Sequence, residues 1–147
     1  MWCGLMRGLD KAVRPRPLSE ADDLKEYELI AMRNEVAEIF KPIPYIARVA
    51  SQISTCTFSA SEAERCRCDG QASSKSQRIA ICEDIITQHD REYWKMVFLH
   101  EFTHILTNCG HTVEFHKVLD GLIEIYNQET GERLVNDYQG LAGEGNG

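Results

Sequence analysis

With 147 residues, 43% of them hydrophobic and 27% charged, the chain is long enough to bury one sizeable core without covalent staples. Its formal net charge of -7 disfavours a bare phosphate backbone or an anionic membrane as the main partner. No run approaches the ~20 consecutive apolar residues of a membrane-spanning helix, and Met1-Trp2-Cys3-Gly4-Leu5-Met6 is too short for the apolar centre of an export signal. A cytoplasmic address is the expectation, and reduced cysteines with it. Cys66-Arg67-Cys68 invites a metal reading, yet Cys3, Cys56, Cys82 and Cys109 supply no second close pair to complete a four-ligand site.

Residues 1–17 read as a loose lead-in, since Arg14-Pro15-Arg16-Pro17 cannot continue a helix. Ser19, with Asp22 three residues on, forms a capping box for a helix over about 20–40. Leu24, Tyr27, Ile30, Ala31, Val36 and Ile39 recur along it at helical spacing, and Lys41-Pro42-Ile43-Pro44 ends it. The middle reads as sheet: Tyr45 to Ile53, Thr55 to Phe58, and Arg78 to Cys82. A polar run with Asp69-Gly70 and Ser73-Ser74 suggests a hairpin connection between the last two.

Thr87-Gln88-His89-Asp90 is a second capping box, followed by a strongly apolar helical run. Asn108-Cys109-Gly110 stops that run, with Gly110 suited to the left-handed conformation that closes helices. A last helix is predicted from Val113 to Tyr126, its apolar face made by Phe115, Val118, Leu119, Leu122 and Ile125. The glycine-rich end, 141–147, should fray.

The chemistry concentrates in His100-Glu101-Phe102-Thr103-His104. At i, i+4 two histidines share a helix face with Cβ atoms ~6 Å apart, so both imidazoles can reach one metal at ~2.0–2.1 Å. Glu101 is offset around the helix, placed to deprotonate a metal-bound water rather than to ligate. The flanking Met96, Val97, Phe98, Leu99, Phe102, Ile105 and Leu106 make this a buried setting, where an unpaired Glu and two His are costly. A third ligand is required. On one continuous helix His111 would sit ~10 Å from His104, but a turn at Asn108 to Gly110 can fold it back. Glu114 and His116 are rivals, Glu124 a weaker one, and His89 reads as a surface residue near a cap.

Ile79-Ala80-Ile81, Trp94 to Leu99, His100 to His104 and Gly110-His111-Thr112-Val113-Glu114-Phe115 resemble the SprT-like metallopeptidases and their minimal relatives, over roughly residues 78–120. The resemblance implies a strand before the motif helix and a third ligand from a Gly-His-x-x-x-Phe segment. By it, His100, His104 and His111 hold zinc and Glu101 is the base. Members that act on DNA-bound proteins carry a further DNA-binding module; here no cysteine follows Cys109 and the charge is acidic, so the bare catalytic domain is what is implied.

The expected fold is α+β and zincin-like, one domain over 18–140: an N-terminal helix, a small twisted sheet of about three strands, the motif helix and a C-terminal helix. The expected activity is zinc-dependent peptide-bond hydrolysis of a protein or peptide substrate. A substrate strand is expected to add to Arg78–Cys82, Tyr138 is a possible oxyanion donor, and Asp120 or Glu114 a possible partner orienting a ligand histidine. Two alternatives stay open. One is a repressor-cleaving regulatory protease with a carboxylate third ligand. The other is a latent or non-catalytic zinc-stabilised domain, in which Cys3 could plug the metal.

Overall fold

The computed structural model describes residues 20–88 and 91–138, the side chains of 20–24 excepted. The lead-in with Cys3, the Ser19–Asp22 cap, the Leu24 side chain, His89, Asp90 and the tail therefore lie outside the described residues. The elements run α1 (Glu20–Ile39), α2 (Pro44–Gln52), β1 (Ser54–Phe58), α3 (Ala60–Cys66), β2 (Gly70–Ser73), β3 (Arg78–Cys82), α4 (Glu83–Gln88), α5 (Arg91–Thr107) and α6 (Val113–Thr130). Among the described residues, six helices and one mixed three-stranded sheet, ordered β1-β3-β2, make this an α+β arrangement.

The sheet departs from the expected hairpin. β1 runs parallel to β3, Thr55 opposite Ile79 and Thr57 opposite Ile81, and parallel neighbours need a crossover rather than a tight turn. The polar run supplies it as α3 followed by β2, and the hairpin is the one joining β2 to β3, with Gly70 opposite Ile81. Its turn sets Gln77 at φ 53. β3 is thus paired on both sides, so no substrate strand can add to it. At the end of α3, Arg67 takes φ 57 and brings Cys66 and Cys68 to a Cα separation of 5.4 Å, within disulfide reach. They are bonded, where free thiols were expected; Cys56, Cys82 and Cys109 are free.

Residues 45–52 of the expected 45–53 strand form a helix, with Ile53 as its extended C-cap. Pro44 sits in its first turn, where a missing amide costs nothing and the fixed φ favours helix. Ile46, Val49, Ala50 and Ile53, spaced i, i+3, i+4 and i+7, turn toward the core. α1 is a helix as predicted, but it buries Leu29, Met32 and Val36, in line with Phe40 just past its end, while Tyr27 and Ile30 of the expected stripe remain 69% and 39% exposed. Two stripes overlap on that helix, and the core selects the one with Phe40. Thr87 lies within α4 and donates to the carbonyls of Glu83 and Asp84, while His89 and Asp90 of its predicted capping box lie outside the described residues.

α5 is the pivot. Every residue from Trp94 to Ile105 is buried, which is the signature of a helix packed on all sides. β2 and β3, α2, α4 and α6 all contact it. Lys95 is buried there too, its Nζ donating to Tyr126 Oη at 3.1 Å, Glu132 Oε2 at 3.2 Å and Glu35 Oε1 at 3.5 Å. Tyr126 in turn donates to Glu35, and Arg91 bonds Glu132. This network ties α1, α5, α6 and the segment after α6 together. Burial alone would raise the Glu132 carboxyl, but its bonds to Arg91 and Lys95 outweigh burial and hold it below the usual range. Among the described residues no helix is long and apolar enough to cross a membrane.

Removing the cation takes the ammonium away from both Glu35 and Glu132 and leaves Arg91 to serve Glu132. Lys95→Ala is expected to lower unfolding stability in urea by about 3 kcal/mol, the low end for breaking a buried pair because Arg91 still serves Glu132. A loss within about 0.5 kcal/mol, the range of ordinary surface changes, would show that the network is not structural.

Candidate metal centre

α5 presents His100 and His104 one turn apart on the same face. The chain then leaves the helix at Asn108, whose φ is 53 and whose amide still bonds the His104 carbonyl at 2.8 Å. Asn108, not Gly110, supplies the left-handed residue, as Asn tolerates that region through its short polar side chain. The Thr112 amide bonds the Gly110 carbonyl at 2.8 Å, and Thr112 caps α6 by accepting from the Phe115 amide at 3.1 Å. Between helix stop and helix start, His111 has one way to point: back over α5.

His111 Nε2 lies 3.0 Å from His100 Nε2 and 3.2 Å from His104 Nε2. Three nitrogens bound at ~2.0–2.1 Å around a tetrahedral ion sit about 3.3 Å apart; the three here lie within 4.8 Å of one another, close enough that they could hold a metal ion. Among the described residues these form the group of metal-ligating side chains that the structure brings together. His104 Nδ1 is 2.9 Å from the Cys109 carbonyl. A carbonyl only accepts, so Nδ1 carries the proton and Nε2 offers its lone pair to the shared point. Phe115, fully buried, packs its ring 5.0, 4.4 and 5.1 Å from the rings of His100, His104 and His111. One aromatic thus sets the tilt of all three imidazoles.

The electrostatics suit ligands. Burial, then repulsion from His104, His111 and His116, holds the His100 imidazole down at about 2. Burial also brings His104 down to about 4, against the opposing bond to Cys109, and lowers His111. All three are neutral near pH 7, the form that binds metal. Glu101 is 2% exposed and accepts from Tyr138 Oη at 3.4 Å, while the Tyr138 ring stands edge-on to His100 at 4.7 Å.

The rival ligands stay outside. His116, Glu114 and Glu124 are exposed on α6. Asp120 accepts from Asn136 Nδ2 at 3.2 Å rather than orienting a histidine; that role falls to the Cys109 carbonyl at His104. Gly70 and Phe115 were not separable from turn and core residues by local pattern, although the Gly-His-x-x-x-Phe spacing contains Phe115.

A pH dependence follows. Unfolded, these imidazoles protonate near ~6.5; folded, they do so only near 4 and 2 for His104 and His100. Protons therefore favour the unfolded chain, and stability contributed by these groups is full above ~6.5 and lost as pH falls toward the folded values. Metal-free protein should melt progressively lower from pH 7 to pH 4, and His104→Gln should flatten part of that slope. An unchanged slope in His104→Gln would contradict the burial of a neutral imidazole. Comparison of the chain with protein-family models, with curated proteins and with solved structures gives no match in any of the three, so the centre is judged on its own geometry.

Proposed function

We propose that the chain is a zinc-dependent peptidase of the zincin type, similar to the SprT-like metallopeptidases. The observation that carries this reading is the convergence of three neutral imidazoles whose ligand nitrogens all lie within 4.8 Å of one another, with a buried carboxylate adjacent in sequence to one of them. Imidazole suits zinc, copper, iron and nickel; a three-histidine set that leaves a coordination position for water or substrate is the catalytic zinc pattern. When bound, zinc would act as a Lewis acid toward a scissile carbonyl and make water acidic enough to ionise near pH ~7.

The chain's own groups would do the rest. His100, His104 and His111 would hold the ion, with Phe115 fixing their planes and the Cys109 carbonyl fixing the His104 tautomer. Glu101, adjacent in sequence to a ligand, would take the proton of the attacking water and pass it to the leaving amine. The substrate class is a protein or peptide; the net charge of -7 gives no support to direct nucleic-acid binding. A repressor-cleaving protease with a carboxylate third ligand is less well supported, because Glu114 and Glu124 face solvent while His111 meets both other imidazoles.

Three variants test the assignment. The purified protein should carry about one zinc per chain. His111→Ala should weaken zinc binding by more than the ~10–100-fold of an outer-sphere change, and His116→Ala should leave it nearly unaltered. Glu101→Gln should keep zinc and fold yet hydrolyse unfolded casein at least ~100-fold more slowly. Undiminished turnover in Glu101→Gln, or zinc loss in His116→Ala instead of His111→Ala, would overturn it.

A further inference from the structure

Two residues far apart in sequence meet Glu101, and neither is a histidine of the metal set. The first is Gly70 on β2. A Cβ added there would lie 2.9 Å from Val97 Cγ1, 3.1 Å from Glu101 Cγ and 3.2 Å from Ile81 Cδ1. The strand backbone therefore rests directly on the aliphatic stem of Glu101, a distance only glycine permits without displacing something. The second is Tyr138, whose hydroxyl reaches the other end of the same side chain, Glu101 Oε2, at 3.4 Å.

Tyr138 is delivered by a segment with no helix or strand of its own. Residues 131–138 are nevertheless tied at short intervals. Gly131, at φ 80, turns the chain out of α6. Glu132 bonds Arg91 and Lys95, and the Arg133 amide bonds Glu92 Oε2 at 3.0 Å. Asn127 grips Leu134 twice, accepting from its amide at 3.0 Å and donating to its carbonyl at 3.1 Å. Asn136 bonds Asp120. Leu134 and Tyr138 alone among residues 131–138 are buried. A segment held this closely fixes the direction of its last buried side chain.

We infer that Gly70 and Tyr138 are positioning residues that clamp Glu101: the strand limits its stem and the phenol hydroxyl steadies its carboxylate toward the metal centre. Stem and head are then both constrained, so few rotamers remain and the carboxylate is aimed before any substrate arrives. The inference rests on the peptidase reading in one respect, that Glu101 acts on a group held at the metal.

The test uses full-length protein loaded with cobalt(II) and acetohydroxamate as probe, a bidentate metal ligand whose acidic proton can pass to a nearby carboxylate. Binding is followed by the visible absorption of cobalt. Tyr138→Phe keeps the ring against His100 and removes only the hydroxyl; Gly70→Ala pushes on the Glu101 stem. Both should keep cobalt affinity within about twofold and lower hydroxamate affinity about tenfold, the scale of one hydrogen bond to a charged group. Glu101→Gln should lower it at least as much. If Glu101→Gln weakens the probe while Tyr138→Phe and Gly70→Ala bind it like wild type, the clamp is overturned and the peptidase reading stands. If Glu101→Gln also binds it like wild type, or the wild type takes up no cobalt, both fall together. Should Gly70→Ala lose its melting transition, the Tyr138→Phe result decides alone.

Discussion

A helix enclosed on every side has no water to satisfy the polar groups it carries, and α5 carries several. Lys95, His100, Glu101, Thr103 and His104 are all buried, and each left unpaired would cost on the order of 1–3 kcal/mol or more. Thr103 resolves its own demand by bonding the Leu99 carbonyl one turn back at 2.7 Å. The others meet partners beyond the helix, some in the turn that follows it and some in distant parts of the chain, and supplying them organises the molecule around α5.

Toward the start of α5, Lys95 draws in Glu35 from α1, Tyr126 from α6 and Glu132 from the segment beyond it. Farther along, His104 recruits the Cys109 carbonyl, and both histidines recruit His111. Glu101 is met by Tyr138. The ammonium network and the imidazole cluster differ in kind. The first is complete within the protein. In the second, three neutral rings bring their Nε2 atoms toward one point, and His100 Nδ1, on the other edge of its ring, is buried with no hydrogen-bond partner among the described residues. The three histidines could hold a metal ion at that point. It would also stiffen the α5–α6 junction, because its ligands come from both sides of the turn at Asn108.

What sequence made legible was whatever is local. The i, i+4 histidines, the stop near Asn108 and the α6 stripe each depend on residues within a turn or two of one another, and the structure has them at those places. His111 needed one longer step, a chain reversal, and the Asn-Cys-Gly break announced it. The errors fell where tertiary context decides. Residues 45–53 contain β-branched and aromatic types, yet Pro44 begins a helix there. Gly70–Ser73 has little intrinsic strand preference and becomes β2 because β3 offers it a ladder. The close approach of Gly70 to Glu101, and the path that carries Tyr138 to the same carboxylate, have no local signature at all.

The central claim is that one metal ion is held by three histidines, two from α5 and one from the turn that follows. X-ray absorption at the zinc edge, on protein loaded with one equivalent, counts those ligands directly. The account predicts three imidazole nitrogens at ~2.0–2.1 Å in the wild type and two in His111→Ala. An imidazole count that does not change in His111→Ala, or a wild-type site made of carboxylates or sulfur, would contradict it.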